Sequence, residues 1–147
     1  MKQDFLQITK KELFYAAVML QLKQLVNIVY DFPADETKFE QELSEARNTL
    51  RKKKLLTESA REGISLNFAL IVCTIFCANP ESCEVVDING YHATIYKAAS
   101  AYMLMEQLSD DSLSVVWFSK RDILDKYIDD KINIANTEME ETDDGKA

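Results

Sequence analysis

The residues able to do acid–base, nucleophilic or metal chemistry are few and poorly spaced in this chain of 147 residues. His92 is the single histidine. Cys73 and Cys77 stand four apart, on one face of a helix, and Cys83 follows shortly after. Together with His92 they make a ligand set of the kind that zinc accepts. Cys73 and Cys77, however, lie inside the most apolar stretch of the chain, where a free thiol behaves as a small hydrophobe, so core packing is expected, with no metal and no cofactor. No G-x-S-x-G elbow and no phosphate-binding glycine pattern occurs. The paired acids Asp110-Asp111 and Asp129-Asp130 fall in a turn and on an exposed helix face, where carboxylates meet water. These absences lead to the expectation that the chain is not an enzyme.

The elements that position these residues are legible from spacing. Thr9-Lys10-Lys11-Glu12 is a capping box. The apolar stripe Leu13, Ala17, Leu20, with Phe14, Val18, Leu25 and Val29 near it, predicts a helix to about Tyr30, stopped before Pro33. A second helix starts near Asp35 and carries Phe39, Leu43, Ala46 and Leu50. It ends in Arg47 and Arg51-Lys52-Lys53-Lys54, cations suited to the exposed carbonyls of a helix C-terminus. Thr57 to Gly63 reads as a turn, and Ser65 as the cap of a third, buried helix over Leu66–Cys77. Val85 to Tyr96 around Asn89-Gly90 is a hairpin with a type I′ turn. Lys97–Leu108 is compatible with strand or helix; strand is favoured because Tyr102, Leu104 and Glu106 then share a face. Leu113–Phe118 reads as a further strand, followed by a helix from the Ser119–Asp122 start that buries Ile123, Leu124, Tyr127 and Ile128. The expected fold is α+β: an N-terminal bundle of three helices in a winged-helix-like arrangement, a small antiparallel sheet, and a C-terminal helix.

Composition bounds the rest. The length suits one domain, placed at 1–136. Residues 137–147 carry five acids against one Lys and are expected to form a disordered tail. The formal charge is −8, which argues against nucleic acid as the main partner. The start of the chain has no apolar signal region, and the longest apolar run, Phe68–Ala78, is about half of a membrane span. Three cysteines form no even disulfide framework. A cytoplasmic location is expected, with no membrane partner; the oligomeric state is left open.

Two surfaces could bind a partner. Tyr91, Tyr96, Tyr102, Trp117 and Phe118 cluster in the sheet region, and aromatics anchor protein interfaces. An antiparallel sheet can leave one face free for such a partner. Alternatively, Arg47, Arg51, Lys52 and Lys54, followed by LLTESAREGISL, resemble the recognition helix and wing of winged-helix regulators, facing phosphates. A small acidic inhibitor or antitoxin aimed at a basic protein fits the charge as well.

A broader resemblance spans Ile8 to Asp130. Its parts are ITKKELFYAAVML, ELSEARNTLRKKKLL, GISLNFALIVCTIFCANPE, VVDINGYHATIYK and SLSVVWFSKRDILDKYID, in that order. This pattern is similar to the EspG-type chaperones of type VII (ESX) secretion and their shorter Gram-positive relatives. Glu12-Leu13, Leu50 to Leu56 and Leu66 to Pro80 carry the likeness. It implies a non-enzymatic cytosolic adaptor that holds a helical secretion substrate and guides it to export. EspG-type proteins are usually longer, with a second helical half and a fuller sheet, and no partner-binding signature transfers residue by residue.

Overall fold

In a computed structural model, which describes residues 6–31 and 33–144, the chain is α+β. Within those residues the order is β1 (Leu6–Thr9), α1 (Lys10–Met19), α2 (Glu36–Lys52), β2 (Leu56–Ser59), β3 (Gly63–Leu66), α3 (Phe68–Ala78), β4 (Ser82–Ile88), β5 (Tyr91–Ala98), β6 (Ala101–Gln107), β7 (Ser112–Phe118) and α4 (Arg121–Asp144). Strands β1-β7-β6-β5-β4 form one antiparallel sheet, and β2-β3 a separate hairpin. Alternation along each strand divides the side chains between two faces. Tyr96, Met103, Met105, Leu113 and Val115 point to one face and share a core with Leu6, Ile8, α1, α2 and α3. Ala93, Ile95, Leu104, Val116 and Phe118 point to the other face, against Leu124 and Ile128 of α4.

The capping box at Thr9 is present in both directions. The Glu12 N–H donates to Thr9 Oγ1 (3.1 Å), and the Thr9 N–H donates to Glu12 Oε1 (2.8 Å). Asp35 caps α2 by accepting from the Thr37 and Lys38 N–H groups. The Asn89-Gly90 turn has positive φ at both residues, as a type I′ turn requires.

Several expectations need correction. Helix α1 stops at Met19, not near Tyr30. Gln21 takes φ +58, the Gln21 N–H donates to the Val18 carbonyl and the Leu22 N–H to the Ala17 carbonyl, which is a Schellman stop without its usual glycine. The chain beyond it runs back over the core. The Val26 N–H donates to the Cys77 carbonyl (2.7 Å), and the Val26 carbonyl accepts from the Tyr96 hydroxyl (2.7 Å). Lys54, at φ +64, ends α2 in the same way. The N-terminal helices are not a free-standing bundle: a strand precedes them, a hairpin replaces the expected Thr57–Gly63 turn, and all of them build on the sheet. Ser65 lies in β3, and Asn67 caps α3 by accepting from the Ala69 N–H. Lys97–Leu108 is strand, as favoured, but interrupted by a tight Ala99-Ser100 turn with φ of +50 and +67. Ile123 is exposed rather than buried. Helix α4 reaches Asp144, within the 137–147 tail segment, and 145–147 lie outside the described residues.

The left-handed conformation costs an L-residue about 1–2 kcal/mol, and glycine nothing. Ser100→Gly should therefore stabilise the fold by about 1 kcal/mol and raise the thermal midpoint by about 2–4 °C. Calorimetry measures this; an unchanged or lowered midpoint contradicts the turn assignment. Glu12 makes the opposite test. Its side chain, only 1% exposed, accepts from the Thr9 N–H, from Thr49 Oγ1 (2.6 Å) and from Lys53 Nζ (2.6 Å). Glu12→Ala strands these donors and should cost about 2–4 kcal/mol in urea unfolding, with Glu12→Gln in between.

Candidate protein-binding surface

The five sheet aromatics do not share a surface, because strand alternation sends them to opposite faces. Tyr96 and Trp117 lie on the α3 side, and Tyr91, Tyr102 and Phe118 on the α4 side. Tyr96 is fully buried, and burial together with the nearby Cys77 and Cys83 thiols raises its phenol well above the ordinary range. Phe118 is buried against Tyr127, ring centroids 5.4 Å apart. These two are core residues with no surface to offer. Trp117 is half-buried against the first core, its indole N–H without a partner among the described residues. Tyr102 of β6 has the cations of Lys97 (5.9 Å) and of Arg121, at the start of α4 (5.7 Å), near its ring centroid.

Tyr91 belongs to a polar cluster that sequence spacing did not reveal. Glu106, buried beneath α4, accepts from the hydroxyls of Tyr91 (2.9 Å) and Tyr127 (3.1 Å). Burial first, and the Glu106 carboxylate second, push both phenols above the ordinary tyrosine value. The register Ala93↔Glu106↔Ser114 puts the carboxylate between two small neighbours, which leaves room for the rings. The cluster fastens α4 to the sheet and holds no open site.

The residues that sequence offered for chemistry are dispersed. Among the described residues no three of His, Cys, Asp and Glu come together as metal ligands. Cys73 and Cys77 are buried in α3, and burial drives the Cys77 thiol well above its ordinary value, so it stays protonated. His92 Nδ1 lies 2.9 Å from Asp87 Oδ1 across the hairpin, both exposed. They border a recess beneath the Asn27–Val29 segment, where the Thr94 hydroxyl accepts from Asn27 Nδ2 (3.1 Å).

The basic patch is largely occupied. Arg51 meets Glu58 of the β2–β3 hairpin at 2.6 Å, Arg47 reaches the same carboxylate at 3.6 Å, and Lys53 is held by Glu12. Lys52 and Lys54 make no ion pair among the described residues, leaving only them for phosphates. The Glu58 contacts instead fold the hairpin onto α2 and close one side of a groove.

This groove is lined mainly by apolar side chains. Tyr15 and Leu43 form its floor, Met19 and Ile64 its walls, and Glu40, Ser44 and Arg47 its rim. Phe68 opens α3 two residues past the hairpin and is 78% exposed, an unusual position for a phenylalanine. Sequence reasoning missed the groove because Ile64 sits in what read as a turn and capped-helix start. No helix among the described residues is long and apolar enough to cross a membrane. No family model and no curated protein matches this chain.

The tyrosine cluster predicts an alkaline transition. The folded state holds the Tyr91 and Tyr127 protons more tightly than the unfolded chain, in which they leave near 10.0; burial, and then the Glu42 carboxylate, push Tyr30 up to about 12. The stabilisation is therefore whole below pH 10 and is lost as pH climbs through the folded-state values. Urea midpoints should fall above pH 10, and Tyr127→Phe should flatten that slope while costing about 1 kcal/mol at neutral pH. An unaltered slope in Tyr127→Phe counts against the cluster.

Proposed function

We propose that this chain is a non-enzymatic, cytoplasmic protein-binding adaptor that receives an amphipathic helix of its partner in the groove between α1, α2 and the β2–β3 hairpin. The observation that carries the proposal is the apolar lining of that groove, Met19, Leu43 and Ile64 with Tyr15. An amphipathic helix buries its i, i+3/i+4, i+7 stripe in a groove of this kind. Arg47 and Glu40 at the rim offer both signs of charge to the polar flanks of such a helix. The similarity to EspG-type chaperones supports a more specific form, in which the partner is a helical substrate of a type VII secretion system kept in solution until export. The net charge of −8 suits this role, since it keeps an adaptor with an apolar groove from self-precipitating.

Ile64→Asp combined with Met19→Ser tests the proposal. Both side chains reach solvent, so the thermal midpoint should stay within about 1–2 °C of the parent. Recovery of the helical partner on the tagged protein from its own cells should drop, with affinity lowered about tenfold or more. Full recovery of the partner by the folded double variant sinks the groove as the binding surface.

A further inference from the structure

The sheet ends on one side in β4, which pairs only with β5 among the described residues. Open edge strands are normally short or guarded by proline, lysine or a bulge. This one is seven residues long and contains neither Pro nor Lys; its only charges are Glu84 and Asp87. Its central Val85 is 64% exposed, and Val29, 75% exposed, stands with it on the same recess.

The backbone of β4 has a definite free side. The two-residue Asn89-Gly90 turn closes on Ile88 and Tyr91, which in a type I′ hairpin exchange both backbone hydrogen bonds. Counting back by twos, Val86, Glu84 and Ser82 also turn their N–H and C=O groups toward β5. Cys83, Val85 and Asp87 turn theirs outward, evenly spaced and unpaired by any strand among the described residues.

We infer that this edge pairs with the same edge of a second copy, antiparallel about a two-fold axis at Val85, to make one sheet continuous through both molecules. The strand is complementary to itself only in certain registers. With the axis at Val85, Val85 faces its own copy on one side of the sheet, and Cys83 faces Asp87, each such pair exchanging its backbone bonds. On the other side Glu84 faces Val86 and Ser82 faces Ile88, so no two like charges meet. An axis at Glu84 puts two carboxylates directly opposite, a destabilising pair. Of the two acids of the edge, Glu84 is already paired within each copy with Arg121 of α4, and Asp87 lies 2.9 Å from His92 Nδ1. The pairing covers the exposed Val85 in both copies and brings the Val29 lips toward the axis. It uses no residue of the α1–α2 groove, so it stands or falls separately from the adaptor proposal.

The test is the mass of the full chain in solution, by light scattering across a concentration series, with enough salt to screen the net charge. The expected mass is twice 16.9 kDa. Val85→Pro removes an N–H that points away from β5, where an edge strand tolerates proline, and should return the mass to that of one chain with an unchanged far-ultraviolet spectrum. Val85→Lys, opposing two cations on the axis, should do the same and decides the matter if the proline variant does not fold. Amide exchange gives the register: the N–H groups of Cys83, Val85 and Asp87 should slow as the protein is concentrated, while those of Glu84 and Val86 should not change. A parent chain of single mass at every concentration overturns the inference, and so does a double mass that survives in folded Val85→Lys.

Discussion

A buried carboxylate organises the helical half of this protein. Glu12 lies at the first turn of α1, out of contact with water, and a charge there is tolerated only when fully hydrogen-bonded. Its donors come from separate elements: the backbone at the β1–α1 junction, and Thr49 and Lys53 near the end of α2. The group that caps one helix thereby sets where the next one lies. Once α2 is fixed, Arg47 and Arg51 present themselves to Glu58, and the β2–β3 hairpin settles against the helix. The groove between α1, α2 and the hairpin is the outcome of that chain of polar contacts.

The other face of the sheet repeats the device with neutral donors. Glu106 sits below α4 and is satisfied by two tyrosine hydroxyls, one from β5 and one from α4. Apolar contact through Leu124 and Ile128 holds the helix against the sheet, while the hydroxyls select its rotation and height. Between these two polar anchors the central strands are covered on both sides, which is why β6 reads Met103-Leu104-Met105 without the alternation of a half-exposed strand. Tyr96 adds a third tie, from the sheet centre to the backbone of Val26, and makes the irregular segment after α1 part of the core.

These anchors also account for where the aromatic residues went. Large rings clustered in one stretch of sequence can be interface anchors or the filling of a two-sided sheet. Here Tyr96 and Phe118 fill opposite cores, Tyr91 serves Glu106, and Tyr102 has two cations near its ring. The exposed apolar side chains are instead aliphatic or isolated: Ile64 and Phe68 by the hairpin, Val85 on the open edge.

Local chemistry was readable wherever it is carried by neighbours in sequence. The Thr9–Glu12 capping box, the start of α2 near Asp35 and the Asn89-Gly90 turn need only residues close in sequence, so local spacing was enough to read them, and with them the α+β class. The end of α1 was not legible, because Gln21 adopts left-handed geometry that sequence reserves for glycine, and Ala99-Ser100 hides a turn in the same way. Strand β1 escaped notice since four residues carry too little pattern. Which face each aromatic joined, that Glu58 neutralises the basic patch, and that Glu12 and Glu106 are buried depend on residues brought together from distant positions. Those contacts exist only once the sheet has closed, so tertiary structure alone decided the groove and the open edge.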